Sequence, residues 1–358
     1  MFGLRTTYKK LFVHQWSAQL KEYVTELVWS KEGYLAACSA AGEVILLKPN
    51  QKESVEILSP STPLEQSIDC LEFSADGKYL AAGGQDGKLR IWQVKPELEL
   101  IETLDTQNKW ITCLHWHPKL NQVAFTLGRY VQIWDVITKE IVISLPFESS
   151  SVLDLAWHPQ GDYLAIAGDR EVKVWSCSAW NDDPEMLDLP AACLGVSWSP
   201  NGEYLAASSL DLSVFVWQWG NLSPWRMQGF GGKVRNLSWS TPTVGTAPLL
   251  AVSSVDGIVI WQKQAEDEQG WTPKGLRLHE GVIQGLKFQP KSLLLASVAE
   301  DGWLILWQKA KKPVQWLEGV SEGFSGLAWH PNGNYLAAAG QNGELLVWVA
   351  SESGKGFG

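Results

Sequence analysis

Gly319-Val320-Ser321-Glu322-Gly323 has the G-x-S-x-G spacing of a nucleophile elbow, the sharp strand-to-helix turn that presents a serine hydroxyl to a histidine base. A histidine does follow, at His330. Its Trp-His-Pro string recurs at His117 and His158, however, so it reads as a repeated turn, and the serine falls between two strand-like runs with no helix pattern behind it. Gly229 to Arg235, GFGGKVR, has the glycines of a phosphate-cradling loop. Yet Val234 stands where a hydroxyl residue should follow the lysine, and a strand pattern comes next instead of a helix. Both segments are read as loops, and the chain is expected not to be an enzyme.

Metal chemistry is the other option. His115 and His117 alternate onto one side of a strand, and His158 takes a matching place one repeat later, an arrangement a zinc ion could use with carboxylate help. Neither a C-x-x-C pair nor two histidines at helical spacing supports it. Cys38, Cys70, Cys113, Cys177 and Cys193 form no disulfide pattern and are read as reduced thiols. The expectation is no metal and no cofactor.

A repeat sets the elements that would have to position any site. One pattern occurs eight times: a strand ending in an aromatic, a turn, an Ala-rich apolar strand, a tight turn and a strand ending in Trp. ITCLHWHPKLNQVAFTLGRYVQIW from Ile111 and FSGLAWHPNGNYLAAAGQNGELLVW from Phe324 are two copies. The closing positions are Leu47, Trp92, Trp134, Trp175, Trp217, Trp261, Trp307 and Trp348, spanning 301 residues in seven steps with a mean period of 43. A period of about 40–45 residues accommodates four short strands, and the two-residue alternation in Leu89-Arg90-Ile91-Trp92 is that of a strand. The repeat also accounts for most of the 21 Trp, against 10 Phe and 8 Tyr. Seven close third strands, and Trp29, Trp116, Trp157, Trp198, Trp239 and Trp329 close first strands, so the tryptophan excess is mainly core.

Composition limits the partners. With 45% hydrophobic and 19% charged residues among 358, the chain can bury a large core, and disorder is excluded for most of it. A formal charge of −10 argues against nucleic acid or anionic lipid as the main partner. No apolar run is long enough for membrane insertion, and Arg5, Lys9, Lys10, His14 and Gln15 break up any signal-peptide core, so a cytoplasmic location is expected.

These repeats resemble the WD-repeat family of β-propellers over nearly the whole chain. The family's turn Asp, six residues before the closing Trp, is present as Asp86, Asp169, Asp211 and Asp301, while Trp134-Asp135 is the one terminal Trp-Asp pair. The resemblance implies an all-β fold, an eight-bladed propeller of four-stranded antiparallel blades. It also implies that His279, Ser297, Asp301 and Trp307 form the family's hydrogen-bonded tetrad, in blade 7 alone. The last unit is followed only by SESGKGFG, so Leu11 to Leu20 is expected to supply the missing outer strand and close the ring. That makes residues 1–350 one domain and 351–358 a flexible tail.

In this family the loop before each first strand and the loop between second and third strands share one face, where partners dock. Tyr23, Trp110, Lys233 and Arg235 map there from the first set, and Gln85, Arg129, Arg170, Glu300 and Gln341 from the second. Trp110 lies outside both core registers and is the expected anchor. The function expected is a non-enzymatic scaffold that binds a protein or peptide, a basic one given the charge, the chain itself being a monomer. The alternative is a ligand- or metal-binding propeller that uses the central channel or the bottom-loop histidines, with Thr25, Asp69, Thr112, Leu153, Leu194, Arg235, Gln284 and Ser325 facing the channel.

Overall fold

The computed structural model describes residues 10–48, 55–59, 66–243, 245–266 and 269–351. Within them lie thirty-two strands, β1 to β32 in chain order, and no α-helix. They form eight four-stranded antiparallel sheets. Seven sheets take four consecutive strands. The eighth is ordered β1 (Phe12–Gln19), β32 (Glu344–Ala350), β31 (Tyr335–Gly340) and β30 (Phe324–Trp329). The innermost strand of each sheet touches those of the sheets before and after it, the last meeting the first, so the sheets are the blades of a closed eight-bladed propeller.

Stacked blades bury both faces of their middle strands. Leu35–Ser39, Tyr79–Gly84 and Tyr204–Ser209 are buried at every position, which is why these strands are rich in Ala, Ser and Gly. The larger volume is supplied by tryptophan. Trp134, Trp217, Trp307 and Trp348 at third-strand ends are each 2% exposed. The first-strand tryptophans do more than fill space, because each donates its indole N–H to a backbone carbonyl of the preceding blade. The bonds are Trp29 to Ala328 (3.2 Å), Trp116 to Glu72 (2.9 Å), Trp157 to His115 (2.9 Å), Trp198 to Ala156 (3.2 Å), Trp239 to Ser197 (3.2 Å) and Trp329 to Lys287 (3.0 Å). Each ring also removes on the order of 150–250 Å² of surface from water.

The residue after the first-strand aromatic reinforces the seams. His117 Nδ1 accepts from Leu120 N (2.9 Å), so its Nε2 carries the hydrogen and donates to Gly161 O of the next blade (3.1 Å). His158 repeats this with Gly202 O at 3.3 Å, and Gln289 does the same work toward Gly333 O at 2.8 Å. His330 packs edge-on against Trp29, ring centres 5.1 Å apart. Gly161 has φ +76°, and a Cβ there would lie 2.4 Å from the His117 ring, so the imidazole fits only over glycine.

Closure runs through the expected N-terminal segment. β1 pairs with β32 from Phe12↔Ala350 to Gln19↔Glu344, with a bulge between His14 and Trp16. Phe12 enters the core shared by blades 7 and 8, and Leu20 enters the core shared by blades 8 and 1. From the outer strand of blade 7, the Gln315 side chain accepts from Leu11 N (2.8 Å) and Phe12 N (2.9 Å) and donates to Phe12 O (2.6 Å). Ser351 N donates to Leu11 O (2.8 Å), so the first residue of the expected tail is tied to β1. Residues 352–358 lie outside the described residues.

Outer strands vary in length from blade to blade. That of blade 6 runs Trp271–Arg277, which draws Trp271 into the sheet, where it is buried. That of blade 5 is only Trp225–Met227, and that of blade 1 is Val55–Ser59. These strands sit at sheet edges with few buried side chains, so hydrophobic alternation marks their limits weakly.

Two outcomes follow from the seams and the latch. Gln315→Leu leaves two strand-edge donors without an acceptor and should cost about 2–4 kcal/mol in urea unfolding. Removing residues 1–20 should lower the melting temperature further, and an unchanged melt would rule out closure by β1. Burial is the chief cause holding the pKa of His117, His158 and His330 below the ordinary 6.5. The unfolded chain takes up these protons more readily, so stability is complete above pH 6.5 and should be lost as pH falls below it. Unfolding free energy measured at pH 7 and pH 5 tests this. His117→Gln with His158→Gln should flatten the slope, since Gln289 already fills the same seat.

Candidate functional site

The loop between second and third strands donates a backbone bond to the loop before the first strand, blade after blade. The pairs are Ala40 N to Tyr23 O (2.9 Å), Gln85 N to Ser67 O (2.9 Å), Leu210 N to Ala192 O (2.9 Å), Glu300 N to Val282 O (3.0 Å) and Gln341 N to Gly323 O (2.8 Å). The two loop sets therefore form one face, stitched by main chain and free to vary in side chain.

Trp110 is 50% exposed on this face, and its indole N–H donates to Asp69 Oδ2 of the preceding blade at 2.6 Å. The ring is held in place without being covered. On the next blades Leu153 (42% exposed) and Leu194 (38%) are exposed, as are Leu210 and Leu212 in the second-to-third-strand loop of blade 5. Exposed apolar side chains thus recur on the loop face from blade 3 to blade 5, a series called the apolar arc below. Leu153 and Leu194 stand at the positions that sequence reading assigned to the channel wall, and both are exposed. The sequence signal is leucine where blade 3 has the polar Thr112.

Opposite the arc the face is polar. Tyr23 of blade 1 is half-buried, and burial, followed by the nearby Glu300 carboxylate, raises its hydroxyl pKa against the pull of Arg235. Those three predicted residues thus feel one another across blades 1, 6 and 7. Gln284 Nε2 donates to Glu300 Oε1 at 2.6 Å. Lys233, Arg235, Arg129, Arg170 and Gln85 are exposed, and Gln341 is half-buried. Arg129 donates to Glu148 O (3.2 Å), while Arg170 sits at φ +61° in the tip of its turn. Arg129 and Arg170 stand on blades 3 and 4, apart from Lys233 and Arg235 on blade 6.

Blade 7 holds the polar chain of four. Trp307 Nε1 donates to Ser297 Oγ (2.9 Å), which lies 2.7 Å from His279 Nε2, and His279 Nδ1 lies 2.9 Å from Asp301 Oδ2. Burial is the main influence on His279 and lowers its pKa, so the ring is neutral, donating to Asp301 and accepting from Ser297. This cluster stiffens the loop face and offers no reacting group to solvent.

The other chemical candidates come apart. Ser321 lies in the loop before β30, hydrogen-bonded to Glu344 and Asn342, whereas His330 lies past the other end of that six-residue strand, about 20 Å away at ~3.3 Å per residue. No nucleophile–base pair exists there. The three histidines weighed as zinc ligands also separate: His117 and His158 are committed to glycine carbonyls in different seams, and His115 turns instead toward Cys113 and Asp154.

Comparison with known proteins agrees with the fold. The model described as "Anaphase-promoting complex subunit 4 WD40 domain" matches residues 35–119, and that of "WD domain, G-beta repeat" matches 139–176, 190–218 and 311–349. The chain is similar to the chromatin assembly factor 1 subunit FAS2 homolog of Oryza sativa subsp. japonica, 29% identical over 102 residues, 28% of this chain and 20% of that one. It is also similar to the F-box-like/WD repeat-containing protein TBL1X of Mus musculus, 32% identical over 92 residues, 25% of this chain and 17% of the relative. A third relative is the probable cytosolic iron-sulfur protein assembly protein 1 of Cryptococcus neoformans var. neoformans, 32% identical over 73 residues, 19% of this chain and 17% of that protein. The matched segments span a fifth or less of these relatives' length. Eight closed blades, a tryptophan at nearly every third-strand end and two matching repeat models lead to one assignment: the chain belongs to the WD-repeat β-propeller family.

Proposed function

We propose that this propeller is a docking platform that binds a partner protein or peptide on its loop face, and that it performs no chemistry of its own there. The observation that carries the reading is Trp110, held by Asp69 yet 50% exposed on the face that carries the apolar arc. An indole fixed before binding loses little rotamer freedom when a partner covers it, which is the physical description of a hot spot. Lys233, Arg235, Glu300 and Tyr23 across the channel supply the polar rim that sets orientation. The net charge of −10 favours the approach of a basic partner. The WD-repeat relatives named above support the class of role, and the chain is read as a monomer that becomes part of a larger assembly.

The test is capture of partners from the source cells with the purified chain as bait. Trp110→Ala should weaken the principal partner by about 30-fold or more, the scale of a hot spot. Trp316→Ala, equally exposed at 48% but on the outer edge of blade 7, should leave capture intact. Retained binding by Trp110→Ala together with Leu153→Ala, or loss with Trp316→Ala alone, would move the interface off this face.

A further inference from the structure

The innermost strands of blades 2, 3 and 4 bring together a set of side chains that the fold does not require. Cys113 immediately precedes the first strand of blade 3, Leu114–Trp116, and His115 lies two residues on, so the two share one side of the strand. Asp154 opens the first strand of blade 4, Asp154–Trp157. A sulfur, a ring nitrogen and a carboxylate oxygen from these three all lie within 4.8 Å of one another, and Cys113 Sγ is 3.5 Å from Asp154 Oδ1. Ligands at bond lengths of about 2.0–2.3 Å around a tetrahedral ion stand roughly 3.3–3.8 Å apart, so the set needs only a small closure.

The repeat supplies its own control. Gly195, Gly285 and Gly326 occupy the position of Cys113 in other blades, and Ala156 and Ala328 occupy that of His115. Other blades carry Glu26, Cys70 and Asn236 at the first position and Glu72 and Lys287 at the second, so polar side chains occur along this ring; what sets blades 3 and 4 apart is that thiol, imidazole and carboxylate converge in one seam. Their supports are also in place. Glu72 Oε2 of blade 2 lies 3.3 Å from His115 Nδ1, which leaves Nε2 to face an ion, and Asp154 Oδ2 is held by Val196 N at 2.8 Å. A carboxylate behind a ligand histidine fixes its ring and tautomer. The His115 side chain is 41% exposed, so an ion can reach it from solvent.

We propose that Cys113, His115 and Asp154 bind a zinc-class divalent cation where blades 3 and 4 meet at the channel wall, with Glu72 orienting the histidine. One thiolate, one imidazole and one carboxylate suit a borderline-soft tetrahedral ion and leave its fourth position to water. As the metal bonds form, the Sγ proton passes to solvent, while His115 keeps its ring proton on Nδ1 toward Glu72 and offers the Nε2 lone pair. The ion pins two blades across the seam beneath Trp110. This site is independent of the docking reading and stands or falls without it.

The experiment uses the full chain, stripped with a chelator and titrated with Co²⁺. One equivalent should bind with a thiolate-to-cobalt charge-transfer band, and Zn²⁺ should displace it. The band should vanish in Cys113→Ser, while Glu72→Gln should weaken Zn²⁺ by about 10- to 100-fold in competition with a chromophoric chelator. His117→Gln should bind as wild type. On the unmutated protein, which removes any question of misfolding, Zn²⁺ should protect Cys113 but not Cys177 from alkylation as read by mass spectrometry. Absence of a one-equivalent band, a band that survives in a folded Cys113→Ser, or Cys113 alkylated equally with and without Zn²⁺ would each overturn the site.

Discussion

Six indole N–H groups, each bonded to a carbonyl of the preceding blade, are the constraint on which this molecule depends. A β-sheet satisfies its own backbone and is indifferent to how it stacks. The indole removes that indifference, because its ring fills the seam only in the orientation that lets its nitrogen reach one particular carbonyl. Repeating the bond around the ring fixes the rotation from blade to blade. The histidines at His117 and His158 and the glutamine at Gln289 add a second tie on the same side, and the glycines opposite them accommodate the rings.

That rigidity explains how the loop face can be irregular. Main-chain bonds between the two loop sets hold each turn in place whatever its side chains are, so Trp110 and the leucines of blades 3 to 5 can face solvent without loosening the blades beneath. The polar side around Tyr23, Arg235 and Glu300 rests on the same frame. In blade 7 a buried side-chain tetrad reinforces that stitching, and in blade 8 Ser321, Asn342 and Glu344 do so at the surface.

Much of this was legible in the sequence, and the limits have physical causes. Tryptophan at a period of 43 specifies strand number, blade number and core, because a residue that large has few places in a sheet stack. The ring-closing strand was legible for a different reason: a blade that lacks its fourth strand exposes an edge, and Leu11 to Leu20 was the remaining segment able to cover it. Trp110 could be placed on the face but not given its bond to Asp69, which joins residues 41 apart through loop geometry that alternation does not encode. The histidines were the clearest miss. On paper His115 and His117 share a side, yet His117 lies past the strand end and follows the turn into the seam, so His115 alone keeps the strand's direction toward Cys113 and Asp154.

Blade 8 is woven from both ends of the described chain, with Ser351 bonded to Leu11 across the outer edge. A ring built this way brings the two ends of the described residues within one hydrogen bond of each other, so where the ring is opened carries no topological weight. Joining residue 10 to residue 351 by a short peptide and opening the chain in a loop between two other blades would leave every seam and strand pairing unchanged. Residues 10 and 351 therefore meet the propeller at one point on its rim, beside the outer strand of blade 8.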